Sequence, residues 1–371
     1  MIPFRKHHLI NIVKDFSKKH TPLDIFLKNY FIKNKSIGSK DRKEISENMY
    51  KLIRWQSLID HITEKPITLE NKIDTLDNFD PSKFILDEKI DIHIRISFPK
   101  KYFEKLKNDF SLEEAKDFCL TSNETAPTTI RANLIKISRD DLFDILIKKF
   151  PVEKCKKSPY GINFYKKINF FETEEFKKGY FEIQDEASQL ASDLIDIHPK
   201  DHILDYCAGS GGKSLSIAHK LKNTNQIYLH DSREYILEEA KKRLKRASVQ
   251  NFQIKNSLDL KNLNQKMDVI IVDVPCSGSG TLRRNPDLKW RFDIDEFEKL
   301  LDLQKNIFHE AFQFLNKKGK IIYITCSIFK DENQDQIDYF TKKYDLKIIK
   351  TFSTFPEKKS HDGFFACVMQ N

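Results

Sequence analysis

Apolar residues recur at helical spacing through the first third of the chain and at strand spacing after it. His8-Leu9-Ile10, Ile12-Val13 and Phe16 mark one helix face, and Leu23, Ile25-Phe26 and Tyr30 mark another. Ser39 is the predicted N-cap of a third helix that runs through Ile45, Met49 and Leu52-Ile53 to Trp55. Residues Pro66 to Ser97 are looser, with turn chemistry at Asn78-Phe79-Asp80-Pro81. Ser97-Phe98-Pro99 then opens a helix carrying Tyr102, Phe103 and Leu106. The pattern predicts an all-α domain over residues 1–122.

The period then shortens. Thr128 to Asn133 alternates as a strand, Arg139 to Phe150 reads as helix, and a strand follows around Ile162–Phe164, a small α+β subdomain over 123–178. Gly179 to Asp185 is a short strand and Glu186 to Ile195 a helix. From Asp201 onward strands and helices alternate as in a mostly parallel sheet. Seven strands are predicted: His202–Leu204, Gln226–His230, Phe252–Lys255, Met267–Asp273, Lys320–Thr325, Leu346–Lys350 and Phe364–Met369. The nearly continuous apolar run of the fourth suits a strand covered on both faces. The fold class is α/β, with a seven-stranded Rossmann-like domain over 179–371.

Candidate chemistry begins at Leu204 to Ser214. A strand ends in Asp205, passes a glycine-rich turn (Gly209, Gly211, Gly212) and enters a helix with Leu215, Ile217, Ala218 and Leu221 on its apolar face. Such a turn brings backbone N–H groups close to a ligand with no Cβ in the way. About 20 residues after Gly211 the second strand ends in Asp231, the usual position for an acid that binds ribose hydroxyls. A plain tight turn is the simpler reading of the glycines. A P-loop would need glycine at 207, where this chain has Cys207.

Composition narrows the setting. No run of 18 apolar residues exists, so no membrane span is expected, and the N-terminus lacks the apolar stretch of a secretory signal. Six dispersed cysteines (119, 155, 207, 276, 326, 367) form no CxxC pair, so neither zinc nor a disulfide framework is expected, and no metal is. A reducing cytoplasm is the expected location. The net charge is +9, and residues 1–60 hold 13 Lys/Arg against 6 Asp/Glu. That surplus suits either a solvated basic face or nucleic acid.

Two strands end in cysteine, at Asp273-Val274-Pro275-Cys276-Ser277-Gly278 and at Thr325-Cys326-Ser327. In an open α/β sheet, ligands sit beyond the carboxyl ends of the strands, so Gly211, Asp231, Asp273, Cys276 and Cys326 are expected to converge. These motifs, together with Asp205 to Lys213, Arg283-Arg-Asn-Pro-Asp-Leu-Lys-Trp290, Asp362-Gly-Phe-Phe365, Gln184-Asp-Glu-Ala-Ser188 and Gly38 to Arg42 with Leu52 to Trp55, resemble the Fmu/Sun (RsmB/NOP) branch of RNA cytosine-C5 methyltransferases. Val274 stands where that family usually has alanine, and Tyr206 departs from its first motif.

The resemblance implies an S-adenosylmethionine-dependent enzyme with a NusB-like N-terminal domain, acting as a monomer on RNA, most simply small-subunit rRNA, with tRNA as the alternative. It implies Cys326 as the nucleophile that adds to cytosine C6, since covalent addition turns C5 into a competent nucleophile. Cys276 would assist release, Asp273 would hydrogen-bond the base near N3, and Lys213 would favour the thiolate or position the base. Cofactor contacts are expected from Cys207, Ala208, Gly209, Ser210, Gly211, Gly212 and Lys213 of the turn, from Asp231 and Arg233, and from Asp259 and Asp273. RNA contacts are expected from Arg283, Arg284 and Lys289, with the target base taken out of its stack. The competing reading is a non-catalytic assembly factor that kept the fold; such a protein is expected to lose a thiol or Asp273, and all are present.

Overall fold

The computed structural model describes residues 3–18, 21–166, 168–221 and 224–371. The chain forms two compact units, one of Met1–Thr125 with Thr281–Asp293, the other of Ala126–Gly280 with Ile294–Asn371.

The first unit is helical, with principal helices Phe4–Phe16, Leu23–Lys33, Ser39–Arg54, Gln56–Ile62, Leu69–Asp77, Lys100–Asp109 and Leu112–Ser122. Leu9, Ile12, Phe26, Ile45, Met49 and Leu58 supply its core. Ser39 is the first helical residue rather than the N-cap, which is Gly38. The segment expected to be loose contains Leu69–Asp77, begun by Thr68 Oγ1 accepting from Asn71 N–H at 3.1 Å. Helix Leu112–Ser122 starts with a capping box of Ser111 and Glu114 that the pattern reading passed over. Residues Thr281–Asp293 lie in the second half of the sequence yet belong to this unit.

The second unit holds two sheets. The smaller is antiparallel: β1 (Thr128–Ala132), β2 (Val152–Lys154), β3 (Gly161–Phe164) and β4 (Phe181–Ile183), ordered β2-β3-β1-β4. Because β4 pairs with β1, this sheet runs across the expected boundary at residue 178. The larger sheet contains β5 (His202–Asp205), β6 (Gln226–Leu229), β7 (Phe252–Ile254), β8 (Met267–Asp273), β9 (Leu315–Thr325), β10 (Lys347–Thr354) and β11 (Phe364–Gln370). Its order is β10-β11-β9-β8-β5-β6-β7, with β9-β8-β5-β6-β7 parallel, β11 antiparallel to β9, and β10 antiparallel to β11.

β8 shows why a continuous apolar run suits this position. Successive side chains point to opposite faces, so Val269 and Ile271 enter one layer with Leu215, Ile217 and Leu237. Ile270 and Val272 enter the other with Phe308 and Phe340. The chain leaves β5 for β6 on one side, while β8 pairs on its other side. The glycine turn after β5 therefore stands at the switch point of the sheet.

Candidate active site

β8 and β9 are adjacent and parallel, with Asp273 opposite Ile324. Val274 N–H donates to Ile324 O at 3.1 Å and carries the pairing past the strand end. The two following loops therefore leave the sheet side by side, and the Sγ atoms of Cys276 and Cys326 lie 3.3 Å apart. A hydrogen bond to Cys326 and burial, followed by the charges of Cys326 and Glu332, push the Cys276 thiol well above its ordinary value. The hydrogen bond between the two sulfurs can run in either direction. Cys119, Cys155 and Cys367 are buried, and burial first of all raises each of their thiols. Cys207 is raised as well, by burial and then by Asp205, Asp273 and Asp231.

Asp273 accepts from Lys213 Nζ at 2.9 Å, and the same ammonium donates to Ser188 Oγ at 3.1 Å. Lys213 is buried and lies 5.4 Å from the Phe364 ring centroid. It grips Asp273 at the end of β8. Gln184, from the motif before helix Glu186–Asp193, donates to Gly212 O at 3.5 Å and joins that motif to the glycine turn.

Gly209 (φ 51°) and Gly211 (φ 81°) take the left-handed backbone that their residue type allows. A Cβ built on Gly212 would meet nothing within 4 Å, so the backbone there is bare toward open space. Ser210 is fixed from behind by Arg243, which donates to its Oγ at 2.6 Å and its carbonyl at 2.9 Å. Ala208 N–H donates to His230 O at 2.8 Å, bringing the turn against the end of β6. Asp231 accepts from Gly209 N–H at 2.8 Å, from Arg233 N–H at 2.9 Å and from Arg233 Nε at 3.0 Å. Burial opposes its charge, but Arg233 and Gly209 outweigh that and hold its carboxyl below the usual range. Asp259 is exposed on the short helix Ser257–Leu260 that follows β7.

The expected RNA contacts need correction. Arg283 and Lys289 are each 1% exposed, inside the helical unit. Lys289 Nζ donates to Arg54 O at 2.8 Å and to Asn123 Oδ1 at 2.7 Å, and lies 4.1 Å from the Phe98 ring centroid. Arg283 O accepts from Arg54 Nη2 at 2.8 Å, and Trp290 Nε1 donates to Ile53 O at 2.7 Å. The Lys289 ammonium is committed in this way to holding the unit together, and the Arg283 side chain is buried away from the surface. Arg284 is half-buried. Among the described residues there is no cluster of three or more His, Cys, Asp or Glu fit for a metal, and no helix long and apolar enough to cross a membrane.

Sequence reasoning missed Glu332. It is fully buried, and it accepts from Ser277 N–H at 2.7 Å, Ser277 Oγ at 2.5 Å, Gln304 Nε2 at 2.9 Å and Ser327 Oγ. Ser277 and Ser327 are the residues after the two cysteines. The available signal was an acid six positions past Cys326, in a connection from strand to helix where a solvated loop carboxylate is the usual expectation.

Residues 193–370 match the family described as 16S rRNA methyltransferase RsmB/F, and residues 98–170 match the ferredoxin-like domain of RsmF/B-like methyltransferases. Ribosomal RNA small subunit methyltransferase B of Photorhabdus laumondii is 32% identical over 66% of this chain and 59% of its own. The human 28S rRNA (cytosine(4447)-C(5))-methyltransferase is 28% identical over 76% of this chain and 37% of its own. The chain spans 59% to 66% of the length of the first curated relatives it matches. The solved structure of PH0851 has a TM-score of 0.82 at 21% identity, covering 100% of this chain and 99% of its own, which shows a shared fold.

Proposed function

The chain belongs to the RsmB/F methyltransferase family, and from that membership we propose that it methylates cytosine C5 in RNA, small-subunit rRNA being the substrate in view. The observation that carries this reading is the pair of thiols 3.3 Å apart beyond β8 and β9, on the same sheet edge as Asp273. S-adenosyl-L-methionine, when bound, supplies a methyl group on a sulfonium centre. The open backbone at Gly212 and the Asp231 carboxylate held against Gly209 fit its amino-acid and ribose ends. Arg233, the more exposed partner of Asp231, is the group that would yield to a ribose.

The chain's own residues divide the remaining work. Cys326 thiolate adds its electron pair to C6, and the displaced ring electrons are taken up at N3 with a proton delivered through Asp273. Asp273 also suits the cytosine edge because a carboxylate accepts from the exocyclic amine. Lys213 keeps Asp273 in place throughout. Once Cys326 is bonded to carbon, its negative charge and its hydrogen bond to Cys276 are gone, and with them two of the causes that hold the Cys276 proton. Once C5 carries the methyl group, Cys276 can give its proton to solvent and, as a thiolate, remove the C5 proton; the C6–S bond then breaks, its electrons return to Cys326, and N3 hands its proton back through Asp273.

The test uses a labelled methyl donor, an rRNA fragment and a denaturing gel. Cys326→Ala should lose methyl transfer by at least about 10³-fold while donor binding persists. Cys276→Ala should leave protein joined to RNA on the gel. Turnover retained in Cys326→Ala would reject the nucleophile, and absence of the Cys276→Ala adduct would reject the release role. Bisulfite sequencing of cellular RNA with and without this gene identifies the modified nucleotide.

A further inference from the structure

Glu332 is fully buried and bonds the residue that follows each cysteine of the thiol pair. Its Oε1 receives the Ser277 backbone N–H at 2.7 Å and Gln304 Nε2 at 2.9 Å. Its Oε2 receives the hydroxyls of Ser277, at 2.5 Å, and Ser327. Those two hydroxyl oxygens are 3.3 Å from each other, and Ser327 Oγ is 2.9 Å from Ser279 Oγ. The acid is itself braced, because Tyr323 OH donates to its carbonyl at 2.8 Å and lies 3.1 Å from Gln304 Oε1. Gln304 Nε2 also reaches Pro275 O at 3.1 Å, the residue before Cys276.

We propose that Glu332 is a positioning residue for this reaction: by holding Ser277 and Ser327 on one carboxylate, it sets the gap between Cys276 and Cys326. The assignment rests on the reading of Cys326 as nucleophile and Cys276 as the releasing group. Four groups converge on the two oxygens: a backbone N–H and an amide on one, two hydroxyls on the other. An amide in its place could still bridge them, because the hydroxyls can turn to accept from its NH₂, whereas a methyl group binds none of the four and opens the clamp. The strand ends bring the two loops into the same region, but β8 and β9 stop at Asp273 and Thr325. Past that point the backbone adds the Val274 bond and one from Gly280 N–H to Cys326 O, and the carboxylate alone binds the residue that follows each cysteine.

Thiol separation can be read without RNA or methyl donor. Diamide takes two hydrogens from a pair of thiols to give a disulfide and a hydrazine, and requires the sulfurs to close to about 2.05 Å. In the full-length protein, Glu332→Ala should slow Cys276–Cys326 disulfide formation by about tenfold or more, followed by peptide mass, while Glu332→Gln, which can bridge the same groups, should slow it less. Glu332→Ala should also accumulate protein–RNA adduct on a denaturing gel although Cys276 is intact, with kcat reduced and KM for RNA unchanged. Ser277→Ala, which removes one hydroxyl arm, should show the same effects more weakly and keeps the test available if Glu332→Ala does not fold. A merely structural role would lower the folded fraction without changing the oxidation rate per folded molecule or building up adduct. Folded variants that oxidise at the wild-type rate would overturn the proposal. If oxidation slows but neither these variants nor Cys276→Ala forms adduct, the clamp stands and the catalytic reading fails.

Discussion

Asp205, at the end of β5, is fully buried, with Oδ2 accepting from Ser214 N–H at 3.2 Å and Ser214 Oγ at 2.7 Å. Burial raises its carboxyl to about 7, the Ser214 bond works against that, and the charge of Asp273 adds to it. A carboxyl raised in the folded state binds its proton more tightly there than in the unfolded chain, so its contribution to stability falls as pH rises from about 4 to about 7 and is flat above. Urea unfolding should therefore show the wild type losing stability relative to Asp205→Asn across that window, with a ceiling on the order of 4 kcal/mol for a shift of about three units. A difference independent of pH would reject the shift. Lys289 is the other residue whose surroundings define its task. Lys289→Met leaves Arg54 O and Asn123 Oδ1 buried without their donor, and should cost about 2–4 kcal/mol of stability. RNA affinity per folded molecule should keep its salt dependence; a reduced salt slope would restore Lys289 as an RNA contact.

Among the elements, the loop that carries Cys276 is held by a close backbone approach. Gly280 N–H donates to Cys326 O at 2.9 Å, and Gly363 N–H donates to Gly280 O at 2.9 Å. A Cβ on Gly280 would lie 2.1 Å from Gly363 O, a backbone atom that cannot swing aside. Gly280→Ala should therefore displace the thiol loops and lower methyl transfer by about two orders of magnitude, since misplacing a reacting group by about 1 Å costs that much. Circular dichroism should still report the sheet, because the layers built on β8 do not involve Gly280. Unchanged activity would show that the loops tolerate the shift. The two glycines lie 83 positions apart by number, and no local pattern relates them.

For the whole molecule, the relevant charge is the basic surplus of the helical unit. Lys28, Lys33, Lys35 and Lys40 are exposed there, unlike Arg283 and Lys289. If this unit contacts RNA, replacing those four lysines by glutamine should reduce the slope of log affinity against log salt by up to about 3, at roughly 0.7 per phosphate on single strands. An unchanged slope in a filter-binding titration would leave the face a solvated one. Substitution is the sound test. Removing residues 1–122 would also strip the partners of Lys289 and Trp290, whose segment belongs to the same unit.

Local pattern alone determined the larger sheet: all seven predicted strands are present, because alternation, apolar runs and flanking glycines are near-neighbour properties. The convergence of the two cysteine loops was also legible, since both follow strands that a parallel sheet must align at one edge. Tertiary structure decided what depends on distant partners. It sent Thr281–Asp293 into the helical unit and turned Arg283 and Lys289 from surface cations into buried supports. It ran the small sheet through β4, and it gathered four donors on Glu332. Periodicity reports which face of an element is apolar, whereas the partner of a buried charge is chosen by the fold, often hundreds of residues away.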